Sequence, residues 1–138
     1  MKTKPMHHQL VGCARLAAMP EYYALNCEQG TGKTWMLMAD AERQFAADKI
    51  NGVLVVAPKG VHRNWVRREI PTHMSANVEA MAYRAGGGKR GKAQFERLIK
   101  LDGVLAVFSI NIDALNTADG YAAANKFLTT RKAMMIVD

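Results

Sequence analysis

The sequence is poor in cysteine, with only Cys13 and Cys27 among 138 residues. Two thiols cannot build a zinc site alone and do not form a disulfide framework, so reduced thiols that pack as small hydrophobes are expected, in a cytosolic setting. Long apolar runs are also missing. None approaches the roughly 20 residues that a membrane span requires. The opening MKTKPMHHQL carries lysines with no apolar stretch behind them, which argues against a signal peptide. A cytoplasmic location (or a nucleoid or nuclear one) without a membrane partner is therefore expected. His7, His8, His62 and His73 fall at no spacing that suits a metal, and neither an internal repeat nor a heptad pattern is present.

Acid is scarce in one place. Between Lys59 and Lys100 there are ten basic residues against three acidic ones, while the remainder carries nine of each, so this segment holds the whole net charge of +7. A charge excess confined to one segment suits a polyanion-binding face as well as a solvated, solubilising surface.

The chain has the length of one domain, and its 49% hydrophobic and 22% charged residues are an ordinary globular balance. Five short apolar or β-branched runs recur: 22–27, 53–58, 77–83, 103–110 and 133–138. Between them lie segments of helical spacing, marked by Met36, Ala39, Phe45 and Ala46, by Val61, Trp65, Val66 and Ile70, by Phe95, Leu98, Ile99 and Leu101, and by Tyr121, Ala124, Phe127 and Leu128. Alternation of this kind predicts an α/β domain, a three-layer arrangement with a mainly parallel sheet of about five strands between helices. The runs are near-continuously apolar, as strands covered on both faces are. An N-terminal helix around residues 6–18 is expected to turn Leu10, Val11, Ala14 and Ala17 inward. The stretch RAGGGKRGK (84–92) reads as a mobile loop.

The segment NCEQGTGKTW (26–35) lies between the first run and a helix. Gly30 and Gly32 let the backbone approach an anion closely, and amides at the helix start favour negative charge. Lys33 would reach the β- and γ-phosphates of a nucleotide, and the Thr34 hydroxyl would coordinate Mg²⁺. Cys27 stands where the strict phosphate-loop pattern has its first glycine. AMMIVD (133–138) is an apolar strand ending in an acid, the layout of an aspartate that holds Mg²⁺ through water.

CEQGTGKT, VLVVAPKGVHRNWVRREI, VFSIN and MMIVD together resemble, in order, the motifs of the first RecA-like domain of a superfamily-2 helicase or translocase, nearest the Swi/Snf-type branch of these DEAD/DEAH-like ATPases. The resemblance covers nearly the whole chain. It implies an ATP and Mg²⁺ site formed by Gln29, Gly30, Thr31, Gly32, Lys33 and Thr34, with Asp138 on the metal and Gln9 of KPMHHQ reading adenine. It also implies that Lys59, Asn64 and the Ser109–Asn111 segment contact a DNA or RNA backbone without reading sequence, as phosphate contacts do. Arg63, Lys89, Arg90 and Lys92 join them as cations of the basic segment. Trp65 reads as a helix core anchor rather than a base-stacking platform.

In this family the metal-binding motif continues with a catalytic glutamate, and a second RecA-like lobe supplies arginine fingers worth about 10³–10⁵ in rate. Neither is within the 138 residues, so the chain reads as a fragment or truncated reading frame that binds Mg-ATP and hydrolyses it poorly or not at all. Self-association through an uncovered sheet edge is a further expectation. Two other readings stay open: a stand-alone nucleic-acid-binding module without ATPase activity, and a small phosphate-loop kinase or other NTPase.

Overall fold

The structure, a computed structural model, describes residues 1–19 and 23–138. Pro20, Glu21 and Tyr22 lie outside the described residues, and with them the start of the expected first strand. Four strands, β1 (Gly52–Ala57), β2 (Val78–Ala82), β3 (Leu105–Asn111) and β4 (Ala133–Val137), form one sheet in the order β2-β3-β1-β4, with every pair parallel. All six residues of β1 are buried, which explains why its sequence is apolar without alternation.

Helices cover both faces. On one, Val53, Val55, Leu105 and Val107 pack under Met38 and Ala41 of α2 (Lys33–Ala46) and under Trp65, Ile70 and Met74. On the other, Leu54, Val56, Phe108 and Ile110 meet Phe95, Leu98 and Ile99 of α5 (Gly88–Lys100) and Phe127 of α7 (Ala118–Thr130). Phe108 is the hub of that layer, with ring centroids 4.9 Å from Phe95 and 5.6 Å from Phe127. Each large side chain buried this way contributes about 1.5–3 kcal/mol. Arg131, also buried, donates from Nη2 to the carbonyls of Leu98 and Leu101 and so closes the C-terminal end of α5.

Three expectations need correction. Among the described residues the sheet has four strands rather than about five, because residues 23–27 of the expected strand 22–27 form none. Leu25 and Tyr23 instead pack beside Leu16, Trp35 and Met36, a burial that an apolar run satisfies as well as a sheet position does. Helix α1 (His7–Ala18) exists, but it turns Gln9, Cys13 and Leu16 inward, with Leu10, Val11, Ala14 and Ala17 exposed. Apolar residues run most of the way round this helix, so its pattern left the inner face undetermined. Gly12 lies close against α2, where a Cβ would come within 2.3 Å of the Met36 sulfur. Finally, the glycine- and cation-rich stretch is only partly a loop, because α5 begins at Gly88.

Between β1 and β2 the chain forms α3 (Val61–Asn64), a π-helical turn over Trp65–Glu69 and α4 (Ile70–His73). The wide turn sets residues five apart in register, and Asn64 Nδ2 donates to Glu69 Oε1 at 3.0 Å. The short α6 (Ile112–Leu115) follows β3, N-capped by the Asn111 side chain, which accepts from the Ala114 amide at 2.8 Å. At the β4 edge Met135 and Val137 are exposed apolar side chains.

Candidate functional site

The segment leading to the glycine loop is held from its side chains. Tyr23 Oη donates to Asp40 Oδ2 at 3.0 Å, and Asp40, buried within α2, also accepts from Arg43 and Gln44. Burial, then the Asp40 carboxylate, pushes the Tyr23 phenol above its ordinary value, so it stays a neutral donor. The chain then turns tightly, with Thr31 Oγ1 donating to the Glu28 carbonyl at 2.8 Å. Gly30 and Gly32 take left-handed conformations, at φ 82° and 77°, and α2 begins at the next residue. Side chains other than glycine resist both conformations.

Lys33 folds back over this turn. Its Nζ donates to the carbonyls of Cys27 and Glu28 at 2.9 and 3.0 Å, so the ammonium sits in the concave side of the loop. Thr34, on the first turn of α2, is half-buried, and Gln29 is exposed at the apex. Gln9 reaches the loop from α1. Its Oε1 accepts from the Met6 amide at 2.9 Å, and its Nε2 lies 3.5 Å from the Thr31 carbonyl, which His8 Nε2 contacts at 2.8 Å. A Cβ on Gly32 would come within 2.2 Å of Gln9 Nε2. Gln9 therefore braces the loop in this structure.

Topology gathers the remaining candidates. Helices that precede a parallel strand run against it, so the start of α2 lies at the carboxyl end of the sheet. Segments following β1, β2, β3 and β4 lie at the same end, where open α/β sheets hold their ligands. Asp138 follows β4, and its carboxylate accepts from the Trp65 indole at 2.7 Å. Lys59 and Arg63 follow β1 and are exposed; Asn111 ends β3 directly beside Ala57. Lys89, Arg90 and Lys92, in the first turns of α5, are exposed after β2.

Not every candidate is available at that surface. Ser109 is fully buried, with its hydroxyl unpartnered, so it has no surface for a backbone contact. Asn64 is committed to Glu69 and Asn111 to its helix cap. Trp65 is buried, in keeping with a core anchor. Sequence reasoning gave no role to Arg67 and Arg84, which join Arg63 around a cavity of about 170 Å³ beside β2. The cluster of cations was visible in the sequence, but its division between faces was not.

Among the described residues no helix is long and apolar enough to cross a membrane. The sequence matches no family model and no curated protein.

Proposed function

We propose that this chain is the Mg-ATP-binding lobe of a nucleic-acid-dependent ATPase of the helicase or translocase kind. The observation that carries the reading is Lys33: its ammonium fills the concave side of a loop whose two glycines are left-handed and which runs straight into a helix N-terminus. A lysine held by backbone carbonyls at such a place is poised to exchange them for phosphate oxygens. The donor set fits a triphosphate, with loop amides and Lys33 for the phosphates, and Thr34 and Asp138 for Mg²⁺. The bound ion would neutralise charge between the phosphates. Gln9, already against the loop, would couple an adenine to it.

The cations at the carboxyl end of the sheet, Lys59, Arg63, Lys89, Arg90 and Lys92, would hold a DNA or RNA backbone at that end. Hydrolysis and movement would need a second RecA-like lobe closing over the nucleotide. Such work belongs in the cytoplasm, nucleoid or nucleus. The exposed Met135 and Val137 make the β4 edge the surface through which self-association would run.

Titration of a fluorescent ATP analogue with Mg²⁺ into the wild type and Lys33→Ala tests the reading. Saturable binding that the variant loses is expected. Equal binding by both proteins would overturn it. Absence of binding in both, with oligonucleotide binding retained, would favour a nucleic-acid-binding module without ATPase activity, the reading that the concentrated positive charge supports by itself.

A further inference from the structure

β2 lies at one end of the sheet and has no strand partner on its outer side among the described residues. Leu105 N–H donates to the Asn77 carbonyl at 2.9 Å, and Tyr83 N–H donates to the Ser109 carbonyl at 2.7 Å. Bonding residues alternate along a parallel ladder, so odd-numbered residues of this strand face β3. Val78, Ala80 and Ala82 therefore turn their N–H and C=O groups outward. Among the described residues, no backbone bond satisfies them.

Two adjoining cavities form a groove along that edge. Its larger part, about 350 Å³, is floored by Ile70, Met74, Val78 and Ala80 and is apolar apart from Lys2. The smaller part, about 170 Å³, shares Val66 and Ala80 with it and is rimmed by Arg63, Arg67 and Arg84. None of these three arginines is in an ion pair among the described residues. The nearby acids are engaged elsewhere: Glu79 with Arg97 at 3.4 Å, and Glu69 with Asn64 and His73.

We infer that this edge binds an extended segment of a partner protein, which adds a strand beside β2, sets an apolar side chain over Ile70 and Met74, and presents acidic side chains to Arg67 and Arg84. Main-chain bonds to a free edge give such pairing its affinity and side-chain pockets give its specificity. A nucleic acid matches the groove less well. Its larger part offers phosphate only Lys2, whose ammonium already donates to the Pro71 carbonyl, and no aromatic ring lines either part to stack a base. A second copy would bring its own cations to the same edge. The inference stands independently of the nucleotide reading.

The test uses fluorescence anisotropy with a fluorescein-labelled peptide of alternating valine and threonine followed by three aspartates, and a control with lysines in place of the aspartates. The acidic peptide is expected to bind at least about tenfold tighter than the control, as complementary charge discriminates between partners. Ala80→Pro removes one outward N–H and leaves the ladder to β3 intact, so it should abolish binding while far-UV circular dichroism stays unchanged. Arg67→Glu, a surface change, should weaken binding without affecting the fold. Bound peptide should also slow hydrogen exchange at the Ala80 and Ala82 amides. Equal binding of both peptides, or binding indifferent to Ala80→Pro, would overturn the inference. An oligothymidylate that binds in an Arg67-dependent, Ala80→Pro-insensitive way would assign the groove to phosphodiesters instead.

Discussion

The indole N–H of Trp65 donates to Oδ2 of Asp138 at 2.7 Å, joining a buried core residue to the acid that follows β4. The Asp138 amide donates in turn to the Val56 carbonyl at 2.9 Å, so both backbone and carboxylate are fixed. Trp65 thus does two things: it fills the layer beneath the π-helical turn and aims the acid.

Trp65→Phe keeps most of the packing and removes the indole donor. A loss of about 1 kcal/mol in urea unfolding is expected, typical of one hydrogen bond and discounted because Asp138 is exposed. Mg-ATP affinity should fall with it. Unchanged affinity would mean that the aim of the carboxylate has no bearing on the metal.

Gly30→Ala and Gly32→Ala separate strain from contact. Both residues are left-handed, but a Cβ at position 30 meets nothing within 4 Å, whereas one at position 32 strikes Gln9. Strain alone costs about 1 kcal/mol. Gly32→Ala should cost more, through displacement of Gln9, and Gln9→Ala should relieve the excess in the double variant. Equal midpoints for the two single variants in denaturant titrations would show that Gln9 yields freely.

His62 gives a pH dependence. Burial, with Arg63 beside it, lowers its folded-state value below the ordinary 6.5, although the carbonyls of Pro58 and Tyr83 pull the other way. The unfolded chain then binds more protons than the folded one as pH drops below about 6.5. Stability should fall with acidification in that window, by at most about 1.4 kcal/mol per pH unit for one group. His62→Leu should flatten the curve below about pH 6.5; an unchanged slope would assign the effect to other groups.

The nucleic-acid binding proposed for the carboxyl end of the sheet should weaken steeply with salt, by a log–log slope of about −0.9 per phosphate neutralised on duplex DNA. Reversing Lys89, Arg90 and Lys92 to Glu should reduce the slope as well as the affinity. A slope unaffected by the triple reversal would clear the start of α5 of any such contact.

The parallel α/β architecture was legible in the sequence because β1 and β3 are buried on both faces, and continuous apolar runs such as VLVVA record that burial directly. The glycine loop was legible too, since left-handed turns leave few residues other than glycine. Helix α1 was readable as a helix but not in its orientation: Leu10 and Val11 are as apolar as Leu16, and the contacts of Gly12 with Met36 and of Gln9 with the glycine loop are tertiary. Residues 22–27 carried a strand-like run, yet Tyr23 and Leu25 pack against residues of α1 and α2.

By itself, then, the sequence determined which segments become strands and helices in most of the chain, and where the left-handed glycine turn before α2 falls, because both follow from local side-chain chemistry and spacing. Tertiary structure alone decided which polar groups are spoken for. Asn64 and Asn111 are consumed by Glu69 and a helix cap, Ser109 is sealed in the sheet, Asp138 is tied to Trp65, and the outward groups of Val78, Ala80 and Ala82 are left open. Such pairings depend on contacts between residues distant in sequence, which no local pattern encodes.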